Sequence, residues 1–516
     1  MENKSIILNI TELAIIGLAF GCTGPARSEN KKQPVQKPNI VFVFADQLRY
    51  QSLGYAGDVK AKTPNLDRLA SQSVSFTNAV SCCPVSAAFR ASLLTGKYPS
   101  STGMAVNELR INPNQKSIAH VLNENGYETG YIGKWHLWAN GSDHLKMESS
   151  YIPPDKREYR LGFNGYWAAF NFNHQFYKGF YYEDDTVKHK INGFEPDVQT
   201  DMAIDFLKKS SAKDKPFCLF LSIGTPHDPW SKKNVPEEYY NRFRNVDFPL
   251  PVSWKDTPDP YMDRNTEPDK WLTNWKVNLP EMQRVYYAMT ANLDYNIGRL
   301  MEAMDKLGLS DNTIFVFTSD HGEMFGAHGR VYKLTFYEEA SRIPMLIRWP
   351  KEIPAGLKSD ACFNTPDIMP TLLGLADLPV PAEVEGMNLS KQATGKKGAE
   401  PDAAFLQGMG HTYLWLDGFE WRAVRDKRYT FARYHVDGKE LLFDNRKDPL
   451  QMNNLIQDPG YQLIAEKLRN LMAEKMKGLN DTFETCTWYR DHWTDGDRNI
   501  IAGARGKFKV IITGNQ

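Results

Sequence analysis

Four apolar runs in this chain each stop on groups that do chemistry. "PNIVFVFADQ" ends in Asp46 and Gln47, "NTIFVFTSDHG" releases Asp320 and His321, "GYIGKWHL" carries Lys134 and His136, and "KPFCLFLSIGTPHDPW" leads to His227. Asp46, Gln47, Asp320 and His321 together offer two carboxylates, an amide oxygen and an imidazole, a donor set for a divalent metal. The oxygens favour a hard ion such as calcium, and the imidazole leans toward manganese or zinc. An adjacent Asp–His pair also serves as a turn or cap, so spacing alone leaves that alternative open. Lys134 and His136 sit two apart on a strand-like segment and share a face, which suits anion binding beside proton transfer. His227 is a second proton donor, and Lys333 and Arg90 add cations. Each of these also reads as an ordinary solvated residue. Together they are equipment for a tetrahedral oxyanion ester.

The elements that must position these groups follow from the pattern. Continuous β-branched and aromatic runs predict strands buried on both faces. Helical periodicity from Ile118 stops at Gly126, and "VYYAMTANLDYNIGRLMEAMDKLG" predicts a helix closing on Gly308. Strand, polar tip, helix, strand is the α/β pattern, in which ligands collect beyond the carboxyl ends of the strands. Residues 231–280, rich in Pro, Asp, Asn and Trp, read as an irregular excursion of the kind that lines binding clefts. After "GKKGAEPD" the pattern becomes short antiparallel strands, with a turn at Asp437 and Gly438, followed by an amphipathic helix.

The chain has 516 residues, 41% of them hydrophobic, enough for a large core. Its 62 basic and 62 acidic residues cancel, so bulk charge gives no support for a nucleic-acid partner. Six cysteines show no metal-knuckle spacing. At the N-terminus a basic residue, an apolar run and "LAFGC" resemble a lipoprotein signal, predicting export to the periplasm or outer membrane of a Gram-negative, anaerobic bacterium, with a lipid on Cys22. The predicted organisation is a signal segment at 1–22, a polar tether at 23–37, a catalytic domain at 38–399 and a smaller α+β domain at 400–516.

The motifs "PNIVFVFADQ", "RASLLTGKYP", "GYIGKWHL", "PHDP", "SDHGEMFGAHG" and "KLTFYEEASRIPMLIRWP" resemble, in this order, those of formylglycine-dependent sulfatases of the alkaline-phosphatase superfamily. The resemblance implies a large, mainly parallel mixed sheet between helices, with a C-terminal antiparallel sheet and helix. It implies that a Cys or Ser four residues before an arginine is oxidised to formylglycine (3-oxoalanine). In "SAAFR" that residue is Ser86, whereas Cys82 and Cys83 lie eight and seven residues before Arg90 and do not fit. A serine precursor further implies a radical-type maturating enzyme as partner.

By the same resemblance, Asp46, Gln47, Asp320, His321 and residue 86 hold calcium, with manganese or another divalent ion as alternatives. His136 is the base, His227 with Lys333 the acid, and Arg90 and Lys134 hold the hydrated aldehyde. Gln47 and His321 depart from the commoner Asp and Asn and resemble the pairs of phosphonate and phosphodiester hydrolases, which keeps that activity open. A non-catalytic glycan-binding protein is a third alternative if Ser86 stays unmodified. The substrate class implied is a sulfated glycan, with Trp167, Asn171, His174, Asp228, Trp230, His411, Trp421 and Arg422 as candidate contacts.

Overall fold

Alternation along the first strand sets the architecture. In β1 (Asn39–Ala45), Ile40, Phe42 and Phe44 enter one core layer and Val41, Val43 and Ala45 the other. The remaining strands of its sheet are β2 (Val74–Phe76), β3 (Glu128–Lys134), β4 (Tyr166–Phe170), β5 (Phe217–Ile223), β6 (Thr313–Ser319), β7 (Met345–Arg348) and β8 (Lys358–Ser359), in the order β8-β2-β7-β6-β1-β5-β3-β4. Only β7 runs antiparallel to its neighbours β2 and β6. The expected mixed, mainly parallel sheet is therefore present. This computed structural model describes residues 37–139, 151–262, 270–496 and 498–509. The predicted signal segment, Cys22 and the tether up to residue 36 lie outside the described residues.

The helices that position the site are α1 (Ser86–Thr95), α2 (Ile118–Glu124), α3 (Glu195–Ser211) and α4 (Val277–Lys306). Ser117 caps α2, and the chain turns at Gly126 with φ +85°. Helix α4 likewise precedes Gly308, at φ +66°. Every residue of α1 is buried, because its apolar side chains pack on the β1 face that carries Phe42 and Phe44. No described helix is long and apolar enough to cross a membrane.

The excursion at 231–280 is more ordered than its composition predicts. A short helix forms at Glu237–Arg242, and Val235, Tyr239, Phe243 and Phe248 pack with Leu279 and Tyr286 of α4. Apolar residues spaced among prolines thus build a satellite core, and none of the described residues in this stretch borders the cavity at the strand ends.

The C-terminal strands β9 (Ala404–Gly408), β10 (Trp421–Arg425), β11 (Tyr429–Tyr434) and β12 (Glu440–Asp444) form an antiparallel sheet in chain order. Helix α5 (Gln462–Leu479) lays Ala465, Leu468, Met472 and Leu479 on it. Residues on both sides of position 400 belong to one compact unit beginning at Lys37.

Three expected sugar contacts are core instead. Trp167 packs against Tyr131 and Trp135, with Arg160 over its ring. Trp421 is 1% exposed, donates its indole N–H to the Leu334 carbonyl and meets Phe336 edge-on. Arg422 is fully buried, with Nε and Nη2 donating to both oxygens of Asp481 and Nη2 also donating to Tyr489. Composition could not separate these buried aromatics and this buried cation from surface ones. Removing one member of such a pair leaves the other charged and desolvated. Arg422→Ala is expected to lower unfolding free energy by about 3–5 kcal/mol, read by denaturant titration of tryptophan fluorescence. A loss within experimental error would mean that solvent reaches Asp481.

Candidate active site

Register brings the strand ends to one level. Ala45 pairs with Ile223 and Ser319, and Gly133 with Ser222, so Asp46, Asp320, Lys134 and the loop after β5 leave the sheet together. Gly133 has φ +100°, and a Cβ there would overlap the Ser222 carbonyl oxygen, so glycine is what allows β3 to deliver Lys134 beside β5. Gln47 and His136 also adopt left-handed backbone, at φ 66° and 55°. Strain of this kind persists where surrounding contacts over-determine a site.

Asp46 is the hub. Its Oδ2 accepts from Lys134 Nζ at 2.6 Å and Arg90 Nη2 at 3.2 Å, and its Oδ1 lies 3.3 Å from Ser86 Oγ. Burial by itself would push this carboxyl up, but the positive charges of Lys134, Arg90 and Lys333 outweigh it and hold Asp46 well below the usual carboxylate range. Asp320 goes the other way: burial and the Asp46 charge push it up to about 7. Its Oδ1 accepts from the backbone N–H groups of Gln47 and His321, while its buried Oδ2 makes no hydrogen bond.

Asp46, Asp320 and His321 bring one ligand atom each within 4.8 Å of one another. His321 Nδ1 donates to the Gly322 carbonyl at 2.9 Å, leaving Nε2 as an acceptor, 3.1 Å from Ser86 Oγ. Burial and Lys333 hold this imidazole well below its ordinary value, so it stays neutral. Two desolvated carboxylates, an oxygen without a hydrogen bond and an imidazole presenting a lone pair fit a divalent cation. The Gln47 amide oxygen accepts from Lys333 Nζ at 3.0 Å, and its amide nitrogen donates to Glu323 at 2.6 Å.

Ser86 opens α1, one turn before Arg90 on the same face. Arg90 Nη1 also donates to the Lys134 carbonyl and to Ser222 Oγ. The neighbouring thiols are fully buried: burial pushes Cys82 up to about 12, and burial and Cys82 raise Cys83 as well, so neither supplies a thiolate. Lys134 is pushed down to about 8 by burial, against the pull of Asp46. His227 accepts from Lys333 Nζ at Nε2, 2.9 Å, and places Nδ1 2.9 Å from the Asp228 carboxylate. Burial and Lys333 lower its pKa.

The structure therefore brings together Ser86, Asp46, Gln47, Asp320, His321, Arg90, Lys134, His227 and Lys333. His136 and Asp228 line the same cavity, of about 230 Å³. A larger cleft, about 680 Å³ and bordered by Lys97, Glu385 and Arg505, contains none of these residues. Four further expected contacts have other roles. His174 accepts from Lys134 and lies over His227 with 3.8 Å between ring centroids, bracing two site residues. Asn171 accepts from the His136 backbone N–H at its carbonyl and from Trp138 at its side chain, positioning the His136 segment. Trp230 packs against Phe325 and donates to the Pro226 carbonyl. His411 is fully buried and accepts from the Leu414 N–H.

Several residues here carried no sequence signal. Glu108 faces His136, 3.1 Å from its Nε2. Burial and Lys134 push His136 down to about 3, so the imidazole is neutral, with its proton on the Glu108 side and Nδ1 carrying the lone pair. Asn107 Oδ1 accepts from the Ala87 N–H, and Glu323 holds Gln47. Both belong to loops whose approach to α1 and β1 depends on tertiary contacts.

Residues 38–378 match the Sulfatase family model, and residues 326–478 match N-sulphoglucosamine sulphohydrolase, C-terminal. The ulvan-active sulfatase of Formosa agariphila is 35% identical over 500 residues, covering 95% of this chain and 91% of that protein. The N-acetylglucosamine-6-O-sulfatase of Bacteroides thetaiotaomicron is 29% identical over 549 residues, covering 93% and 92%. A solved structure in complex with D-glucosamine-2-N,6-O-disulfate matches with a TM-score of 0.72 at 26% identity, over 89% of this chain and 99% of that one.

Two outcomes follow from the geometry. Glu108→Gln keeps the shape but removes the charge that favours protonation of His136, and is expected to lower kcat for ester hydrolysis by about 10²-fold with little change in KM. An unchanged kcat would remove Glu108 from the site's function. In the ion-free protein, Asp320 is raised from an unfolded value near about 4 to about 7 in the fold. The stability this gives is full below about pH 4 and lost as pH rises through about 7. Calcium should therefore raise the melting temperature more at about pH 8 than at about pH 5. Equal increments would place bound calcium elsewhere.

Proposed function

The chain belongs to the sulfatase family, on the alkaline-phosphatase-like fold, and from that premise we propose that it is a carbohydrate sulfatase working through formylglycine made from Ser86. The observation that carries the reading is the setting of Ser86: its Oγ lies within 3.3 Å of Asp46 and His321, in a cavity that Lys134, His136, His227 and Lys333 also line. Acting on glycans is supported by relatives named for ulvan and for N-acetylglucosamine 6-sulfate.

The steps follow from the proton positions. Water adds to the aldehyde at residue 86, and one hydroxyl of the resulting diol passes its proton to Asp46 Oδ1, which accepts from the residue 86 oxygen, and attacks sulfur in line while the sulfur–sugar oxygen bond breaks. The departing sugar oxygen needs a proton. His227 Nε2 accepts from Lys333 and carries no proton of its own, so the proton for the sugar oxygen starts on Lys333, and the two residues act as one donor. His136 then removes the proton of the remaining hydroxyl, the carbonyl reforms, and sulfate leaves with its bridging oxygen. The net reaction is ester plus water to alcohol plus sulfate. Lys134 and Arg90 keep the charge of Asp46 and the diol balanced. Calcium, held by Asp46, Asp320 and His321, would supply positive charge opposite the sulfate oxygens.

The same proposal includes export as a lipoprotein anchored at Cys22 and maturation of Ser86 by a radical-type enzyme in a Gram-negative anaerobe. A phosphonate or phosphodiester hydrolase is the second reading, favoured by the imidazole of His321 in the metal group.

Matured protein from its native source is expected to have lost two hydrogens at residue 86 by mass spectrometry, and to release sulfate from one member of a panel of 2-, 3-, 4- and 6-sulfated sugars. Faster turnover of the matched phosphate esters would favour the second reading, and no release from any sulfated sugar would overturn the carbohydrate assignment. His227→Ala should slow a sugar sulfate by about 10²–10⁴-fold and a p-nitrophenyl sulfate much less, because that leaving group departs without a proton. Equal losses would argue against an acid role.

A further inference from the structure

The shape of the cavity over Ser86 bears on which sulfate it can receive. Its floor, formed by Ser86, Lys134, His136, His227 and Lys333, is almost entirely shielded from solvent, and the half-exposed lining residues stand around the mouth. The volume of about 230 Å³ lies below the roughly 300–1,000 Å³ that encloses a drug-sized ligand, a class that includes a disaccharide. A space of this size matches one sugar unit with its sulfate, and further units would lie at or beyond the half-exposed mouth.

The walls are held by the same contacts that build the site. Phe172 stands against His136 and His174, with ring centroids 5.0 and 4.4 Å away, and Lys134 Nζ lies 5.0 Å from its centre. Tyr332 adopts left-handed backbone, donates its N–H to Glu323 and packs edge-on against Trp275. The third wall comes from far along the chain. The carbonyl of Thr412 accepts from the Asn107 N–H at 2.8 Å, and the side chain of Asn107 accepts from the Ala87 N–H at the start of α1. Thr412 and Tyr413 are thus tied, through one residue, to the helix that carries Ser86.

An internal sugar unit leaves a site through two glycosidic bonds and needs two exits. A unit at a chain end needs one. We propose, resting on the sulfatase reading above, that this enzyme is exo-acting: it removes sulfate from a terminal sugar unit, and the Thr412–Tyr413 wall excludes internal ones. Binding energy cannot compensate for a sulfate held short of Ser86, since catalysis falls steeply as the reacting atoms are displaced.

The test uses full-length matured protein and two sets of oligosaccharides, from ulvan and from 6-sulfated N-acetylglucosamine oligomers. Each set contains one form sulfated only on an end unit and one sulfated only on an internal unit, with p-nitrophenyl sulfate as a report of intact chemistry. The expected result is kcat/KM at least about 10²-fold higher for end-sulfated forms. Tyr413→Ala should narrow that ratio by raising internal release, with p-nitrophenyl sulfate turnover checking that the variant is folded. Internal release equal to or faster than terminal release in the parent protein would overturn the exo assignment and leave the sulfatase reading standing. Turnover of p-nitrophenyl sulfate with release from no oligosaccharide would overturn the assignment of these two glycan classes as substrates, and the exo assignment with it.

Discussion

Buried charge is the constraint on which this structure depends. Asp46, Asp320, Arg90 and Lys134 are all removed from solvent at the centre of the sheet edge, where an uncompensated charge is prohibitive. Asp46 makes the set tolerable by meeting Lys134 and Arg90 at one oxygen while its other oxygen faces Ser86. Arg90 extends the balance by donating to the Lys134 carbonyl and to Ser222, so one guanidinium joins β1, β3, β5 and α1. The groups of the site are held by the same bonds that make burying them possible.

That enclosure also assigns the histidines. His136, His174, His227 and His321 are all buried and all lowered below the ordinary imidazole value, so each is neutral and each has one nitrogen that accepts. What distinguishes them is the partner at the other nitrogen. A backbone carbonyl turns His321 toward Ser86, the N–H of His136 donates to Glu108, and that of His227 donates to Asp228. Four chemically identical rings are thereby presented to the site in four different ways.

The motifs announced most of this arrangement in advance. Buried runs ending in Asp46, Lys134, His227 and Asp320 implied parallel strands meeting at one rim, because in such sheets only the strand ends are free for polar groups. Gly126 and Gly308 marked helix ends by the backbone conformation they permit. The count from Arg90 singled out Ser86 over two more reactive-looking thiols, which are buried with their pKa values raised. Periodicity could not tell a sugar-stacking aromatic from a core one, since both sit in the same apolar company. Trp167, Trp230 and Trp421 pack in the interior, and Arg422 serves Asp481.

What the amino-acid sequence by itself determined is the set of reactive groups and the strands that carry them, because residue type, strand length and a short arginine motif are local properties. Tertiary structure alone decided which groups meet. Glu108 reaches His136 across 28 positions, and Asn107 ties Ser86's helix to Thr412 across 305. Contacts of that range depend on how loops close over a finished sheet, a matter of packing and loop geometry that no local pattern encodes.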